Sequence, residues 1–382
     1  MDSFYLRLKD FNNIIIFGFT PSGKMVFDAI CKNIKETNIC FCDNDKNKQN
    51  QHGNITCYSV EDAVNLFPNA VFVIISEYFR KEKALQLINL GISEENIVFG
   101  LPEDVLSEIN TKDYEQKVKK LSAEEFHFEI NIVKHCNLNC RGCNHFSPLA
   151  DNEFMEVSQV KQDVRRLGEL FNHTASRIYL LGGEPLLHPE LEEIMKICRE
   201  TFTKTSIYIV TNGILLDKMS ESFWNCCKEN NIIISPTRYP IKVDYDSLGT
   251  LAARYGVKYS IFGGTEANAR TLWFEPIDIH GRHDINKEFY KCRQANKCIT
   301  LEGGVLYTCV VPPNVKSFNS YFGCNLEVTD KDGIDIYKVE NFEEILEFFT
   351  HPIPFCRFCD WEHHTYENPW EVSKKDIKEW TL

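Results

Sequence analysis

The 382-residue chain has no apolar run of the roughly 18 to 20 residues that cross a bilayer, so no membrane-spanning helix is expected. Its first residues, MDSFYLRLKDF, hold no basic stretch leading into a long apolar one. No secretory signal is expected there, and a cytoplasmic location is. A basic surface is lacking too. Lys and Arg number 42 against 55 Asp and Glu, a formal net charge of −13. Duplex binding needs a basic face against the phosphates. The longest basic cluster, Lys117-Val118-Lys119-Lys120, lies beside Glu115, Glu124 and Glu125 and reads as a solvated helix face. Neither nucleic acid nor membrane is an expected partner. No internal repeat and no low-complexity tract appear.

What the chain has is length and sulfur. A chain this long, 43% hydrophobic, suits two or three folded domains rather than one core. Sixteen cysteines are many. In a small secreted domain they would read as disulfides; in tight groups on a chain without an export signal they read as metal ligands. Cys31, Cys40, Cys42 and Cys57 lie among apolar residues and read as small core residues.

The expected fold class is α/β throughout. Residues 1–110 alternate continuous apolar strands (Asn13–Phe17, Asn38–Cys42, Ala70–Ile75, Asn96–Phe99) with helical spacing, as in a buried parallel sheet. Residues 111–125 read as a charged linker helix. From 126 the rhythm resumes, with strands expected at 127–133, 177–182, 206–211, 231–235 and 257–262 and an amphipathic helix at 157–171. Repeated β–α units of this length predict a partial barrel over 126–284. Glycines, aromatics and cysteines dominate 285–382, which reads as a small metal-stapled domain.

The first cysteine group is Cys136-Asn137-Leu138-Asn139-Cys140-Arg141-Gly142-Cys143, a C-x3-C-x2-C spacing just after a predicted strand. Three thiolates leave one iron of a four-iron cube open to a ligand. Structural zinc with His145 as fourth ligand is the alternative on spacing alone. Some forty residues on, Leu181-Gly182-Gly183-Glu184-Pro185 follows the next strand, and Thr211-Asn212-Gly213 closes the one after.

Together these motifs resemble the radical S-adenosylmethionine (SAM) superfamily over about residues 126–275. The resemblance implies a partial (β/α)6 barrel with a [4Fe–4S] cluster on Cys136, Cys140 and Cys143. It implies SAM held by Gly182, Gly183, Glu184 and Pro185, with Glu184 accepting from the SAM ammonium and Thr211 and Asn212 also in contact. It implies reductive cleavage of SAM to a 5′-deoxyadenosyl radical that takes hydrogen from substrate, with electrons from a donor such as flavodoxin or ferredoxin. The residue before the third cysteine is often aromatic in the family and here is Gly142; Phe146 is the substitute candidate for adenine contact.

Cys292, Cys298, Cys309, Cys356 and Cys359 form a second group. Its pattern is similar to the twitch domain, the short form of the SPASM extension, as in an aminocyclitol dehydrogenase. That implies an auxiliary [4Fe–4S] cluster on Cys292, Cys309, Cys356 and Cys359, with Cys298 spare; zinc with His363 or His364 is the alternative. Four thiolates leave no iron open, so such a cluster accepts or relays an electron, which favours oxidation. The N-terminal segment lacks a G-x-G-x-x-G fingerprint. Its loop Gly18–Lys24 nearly matches a P-loop, but Met25 stands where Ser or Thr would hold magnesium. It resembles the Rossmann-like domain of sugar acyltransferases. That implies either a nucleotide or nucleotide-sugar facing Gly18, Ser22, Gly23 and Asp43, or a docking domain without ligand. The expected substrate is a polar small molecule: a sugar, aminocyclitol or nucleotide-sugar, met by Arg238, Tyr239, Arg270 and Arg282 unless these are ordinary loop residues. Epimerisation of such a substrate is the alternative reaction. Peptide modification is the other, although the leader-binding domain and full SPASM cysteine set usual there are not seen. No catalytic residue is assigned.

Overall fold

The computed structural model describes residues 3–53, 55–75, 80–100, 118–119, 121–262 and 272–382. The chain divides into two compact units, Met1–Asp113 and Tyr114–Leu382. Among the described residues no helix is long and apolar enough to cross a membrane.

The first unit holds β1 (Asn13–Phe17), β2 (Asn38–Cys42), β3 (Gln51–His52), β4 (Ile55–Tyr58), β5 (Val71–Ile74) and β6 (Ile97–Phe99), in the spatial order β3-β4-β2-β1-β5-β6. All pairings are parallel except the β3–β4 hairpin at the edge. Both faces are covered: Ile14, Ile16 and Phe41 enter one core, and Ile15, Phe17 and Phe72 the other. That is why the strands read as unbroken apolar runs. β4 escaped the sequence reading because only Cys57 of its four residues is buried. Cys40, Cys42 and Cys57 are core residues as expected, but Cys31 is exposed. On the helix Pro21–Asn33 the inward residues are Gly23, Val26, Ala29 and Ile30, and the next position turns outward. The Asp43 carboxylate accepts from the Phe19 and Asp45 amides and pairs with Lys48 at 3.4 Å, so both its oxygens pin the surrounding loops.

The second unit is built on β7 (His127–Val133), β8 (Arg177–Gly182), β9 (Ser206–Thr211), β10 (Ile232–Pro236), β11 (Lys258–Tyr259), β12 (Leu272–Phe274), β13 (Thr300–Glu302), β14 (Val305–Tyr307), β15 (Gly333–Asp335) and β16 (Thr365–Asn368). One sheet runs β11-β10-β9-β8-β7-β13-β14-β15, and β12 pairs with β16 apart from it. β7 to β11 and β13 are parallel; β14 and β15 close the edge antiparallel. The helices Val157–Leu170, Leu191–Thr201, Glu221–Glu229 and Tyr245–Tyr255 return the chain between strands. Phe128, Ile130 and Ile132 point from β7 into the core that these helices share.

β7, β8 and β9 have the limits the sequence predicted, and the fifth strand is shorter. The linker helix expected at 111–125 lies largely outside the described residues; its end is a single turn, Ala123–Glu125. The boundary expected at 284/285 does not separate two compact bodies. The sixth parallel strand, β13, comes from beyond it and pairs with β7 through Thr300 and Leu301. Phe342 and Phe349, on the helix Phe342–Phe349, pack against Phe126 within 5.9 Å between ring centres, so the C-terminal region completes the sheet's own core. A smaller core holds Phe146, Ile277, Phe318, Phe355 and Trp380.

Asp163 joins helix to hairpin. It is 3% exposed, and its carboxylate accepts from the Gly304 amide (2.9 Å), the Tyr337 hydroxyl (2.7 Å) and Gln159 (2.8 Å). Asp163→Ala orphans the buried Gly304 amide and is expected to cost about 1–3 kcal/mol. The midpoint of urea unfolding measures this; an unchanged midpoint would mean that strand pairing alone holds the β13–β14 turn.

Candidate cysteine-cluster site

The first cysteine loop leaves the C-terminal end of β7. Its root is fixed by Lys134, whose ammonium pairs with Glu302 (2.5 Å) and donates to Asn314 Oδ1 (3.0 Å) and the Pro313 carbonyl (3.1 Å). The loop turns through left-handed backbone at Asn139 (φ +55°), Gly142 (φ +63°) and Phe146 (φ +50°). Of the three, Gly142 takes this backbone at the least steric cost. Cys136 Sγ accepts from the Leu138 amide (3.4 Å) and from Asn212 Nδ2 (3.6 Å). Cys140 Sγ accepts from the Trp370 indole at 3.2 Å, and the Cys143 carbonyl accepts from the Trp380 indole at 3.0 Å. Burial, then Glu184, then Cys143 and Cys140 push the Cys136 thiol up to about 12. A bound cation reverses that logic and deprotonates the thiol.

Gly182 and Gly183 are needed for close approach to β7. A Cβ on Gly183 would lie 1.9 Å from the His135 carbonyl oxygen, and one on Gly182 2.2 Å from that of Val133. Here the glycines seat the β8 loop against the root of the cysteine loop, a role not anticipated from the motif. Glu184 is 1% exposed. Its Oε1 accepts from Thr211 Oγ1 (2.6 Å) and the Leu186 amide (3.1 Å), and its Oε2 from the Asn212 amide (2.8 Å). Burial raises its carboxyl to about 7, opposed by those three bonds. As pH rises from 4.5 to about 7 the unfolded chain loses this proton first, so the buried carboxyl costs stability across that window and the cost is complete above it. Pro185 opens a short turn, Pro185–Leu187, and is buried. Asn212 continues the network through Nδ2 to Asn137 Oδ1 at 2.7 Å. Buried polar atoms without partners gather around this end of the sheet: Asn131 Oδ1, His135 Nδ1, Ser147 Oγ and Arg238 Nε. Three thiols, donors aimed at two sulfurs and polar atoms awaiting a partner suit an iron–sulfur cluster with a polar ligand.

The second group surrounds a cavity lined by Cys292, Cys309 and Cys359 together with Phe146, Trp361 and Trp380. The Cys359 thiol is raised by burial and then by Cys356, Cys309 and Cys292, so the four thiols lie within electrostatic reach of one another. Cys298 lies within the same reach, its thiol raised by burial, then by Glu129 and then by Cys309 and Cys292, and the Glu129 carboxyl on β7 is raised by burial to about 7. His363 is held by the Asp360 carboxylate and His364 by the Trp361 carbonyl. Among the described residues no three His, Cys, Asp or Glu side chains are gathered closely enough to hold a single metal ion.

Phe146 is 1% exposed and packs near Phe318 and Trp380, 5.4 and 6.2 Å between ring centres. It belongs to the core beside the second cavity, and its placement gives no support to an adenine contact. Arg282 is clamped on Asp278 by two bonds of 2.9 and 3.0 Å. Arg238 binds Asp246 (2.9 Å), and the Tyr239 ring lies 5.9 Å from that of Trp370. Arg270 lies outside the described residues. Lys134, Trp370 and Trp380 were not singled out from the sequence; no spacing signal connects the last two to cysteines some 230 residues earlier. Gly183→Ala is expected to displace the loop root and lower reconstituted iron by about four atoms per chain with unchanged circular dichroism. Undiminished iron would show that the approach of β8 to His135 is dispensable.

Residues 130–234 match the Radical SAM superfamily. The GTP 3',8-cyclase of Clostridium perfringens (strain SM101 / Type A) is 26% identical over 177 residues, 45% of this chain and 54% of that protein. That of Chlorobaculum tepidum is 29% identical over 93 residues, 24% of this chain and 27% of that protein. The chain thus spans about a quarter to about half the length of these curated relatives. Among solved structures, BtrN in complex with AdoMet and 2-DOIA aligns with 63% of this chain and 94% of its own, at 16% identity and a TM-score of 0.39. Streptococcus suis SuiB bound to S-adenosylmethionine aligns with 55% of this chain and 48% of its own, at 17% identity and a TM-score of 0.31. With the cysteine loop, the Gly-Gly-Glu-Pro turn and the parallel strands that carry them, residues 130–234 are a radical SAM domain, of the superfamily that works with a [4Fe–4S] cluster and SAM.

Proposed function

We propose that the chain is a radical SAM enzyme that oxidises a polar small molecule of the sugar, aminocyclitol or nucleotide-sugar class. In this reading Cys136, Cys140 and Cys143 hold the SAM cluster, and Cys292, Cys309, Cys356 and Cys359 hold an auxiliary one. The observation that carries it is the second cavity, walled by three of those four thiols and by aromatic rings, with Cys298 outside its lining. The names of the curated relatives attach them to GTP, which supports a nucleotide-linked substrate here. When bound, the cluster and SAM supply a 5′-deoxyadenosyl radical that abstracts hydrogen, and a fully thiolate-held second cluster supplies a one-electron acceptor.

The chain's own residues do the rest. Glu184, Thr211 and Asn212 tie the ends of β8 and β9 to the cysteine loop and hold its geometry. Gly182, Gly183 and Pro185 seat the turn where the methionyl end of SAM would lie. Glu184, enclosed and near its own titration point, suits an ammonium partner. Arg238 keeps a buried Nε without partner just beyond β10, which supports contact with a substrate hydroxyl or phosphate.

Anaerobic reconstitution is expected to load about eight irons and eight sulfides per chain, and replacing Cys136, Cys140 and Cys143 together removes half of the iron and all SAM cleavage. Stoichiometric zinc in place of the other half would reject the auxiliary cluster. Cys356→Ala with Cys359→Ala is expected to abolish product while some uncoupled SAM cleavage survives, with circular dichroism checking the fold. Cys298→Ala keeps turnover in this reading. Mass spectrometry of the product decides the reaction: loss of two hydrogens is oxidation, whereas unchanged mass with deuterium taken from water is epimerisation and would overturn it.

A further inference from the structure

The last fourteen residues lie along the first cysteine loop. Val372 bridges antiparallel to Cys140, the Arg141 amide donates to the Glu371 carbonyl at 3.0 Å, and the Ser373 amide donates to the Asn139 carbonyl at 2.8 Å. Arg141 and Glu371 pair at 2.7 Å. Farther on, Trp380 is 2% exposed, its indole donates to the Cys143 carbonyl, and its own carbonyl accepts from Ile277 at 2.7 Å. The buried Glu379 carboxylate closes the tail on itself through Ser373 Oγ and the Lys374 amide. A loop with left-handed backbone at Asn139, Gly142 and Phe146 needs outside partners to persist, and the tail provides them. The donors on sulfur are divided: Cys136 takes Asn212 from the strand ends, while Cys140 takes Trp370 from the tail.

We propose that the C-terminal tail sets the reduction potential of the SAM cluster, with Trp370 as a positioning residue acting through the Cys140 sulfur. The inference rests on the reading that Cys136, Cys140 and Cys143 hold that cluster. An indole N–H is a donor only, so it offers the sulfur no competing lone pair. A hydrogen bond to a ligand sulfur stabilises the more negative, reduced cluster and raises its potential. The tail thereby brings the first cluster within reach of the external reductant that the chemistry requires, and any loosening of the tail makes it harder to reduce.

The test is an EPR-monitored redox titration of the reconstituted full-length protein, following the signal that changes when SAM is added. Trp370→Phe keeps a ring against Tyr239 and removes the N–H. It is expected to load wild-type iron and to lower the ratio of reduced to oxidised cluster at the wild-type midpoint about three- to tenfold, roughly 30 to 60 mV more negative. Glu371→Ala removes only the exposed pair with Arg141 and is expected to leave the midpoint in place. A wild-type midpoint in Trp370→Phe, or equal shifts in both variants, overturns the proposal, since the tail would then act by packing alone. Should Trp370→Phe fail to load iron, Trp370→His, which retains a ring N–H, must load iron and hold the midpoint near wild type; iron loss in both also overturns it. If the wild type gives no SAM-responsive signal, or the triple Cys136, Cys140 and Cys143 variant keeps one, it is the cluster assignment that fails and not the role of Trp370.

Discussion

Burying a carboxylate costs several kilocalories unless donors meet it, and Glu184 is met by three, from Thr211, Asn212 and Leu186. Those bonds do more than satisfy the oxygens. They fasten the end of β8 to the end of β9, and Asn212 then reaches on to Asn137 and the Cys136 sulfur. Three consecutive strand ends become one rigid rim, with the cysteine loop attached to it. Remove the carboxylate and the hydroxyl and two amides lose their common acceptor together. The site is organised around this buried carboxyl as much as around the thiols.

The rim also depends on backbone closeness. Gly183 touches the His135 carbonyl so tightly that no side chain fits, which places the Gly-Gly-Glu-Pro turn against the root of the cysteine loop. Lys134 anchors the same root from the other side, through Glu302 on β13. The strand that carries Glu302 comes from the cysteine-rich C-terminal region, so that region both walls the second cavity and supports the first loop. This is the physical reason why Tyr114–Leu382 is one compact unit: its last third supplies a parallel strand, two edge strands and the aromatic rings that finish the core over Phe126 and Phe171.

The polar network and the two cysteine groups also constrain what can occupy them. Histidines near Cys356 and Cys359 are engaged by Asp360 and Trp361. What remains facing the second cavity is thiol and aromatic surface, with Asn144 and Gln294 both donating to one oxygen of Glu275 at its wall. A soft-ligand, mostly apolar enclosure of this kind shields an electron carrier from solvent and so affects its potential.

Local pattern carried the sequence reading a long way. Strands β7, β8 and β9 were legible to the residue because alternation and apolar runs report burial directly, and the C-x3-C-x2-C and Gly-Gly-Glu-Pro motifs were legible because each is short and contiguous. The radical SAM domain was determined at that level. Contacts between distant segments were not. β13 has three residues and no local signature, so its pairing with β7 needed the sheet to reveal it. Phe146, the sequence's candidate for adenine contact, lies in the core around Trp380, a placement that no local pattern shows. Trp370 and Trp380 reach Cys140 and Cys143 across some 230 residues of chain, a contact that depends on where the tail packs and on nothing in its own composition. Sequence alone determined which chemistry-bearing motifs sit at strand ends, because periodicity is a local property; tertiary structure decided which side chains hold those motifs in place, because hydrogen bonding between remote segments exists only once the sheet has brought them together.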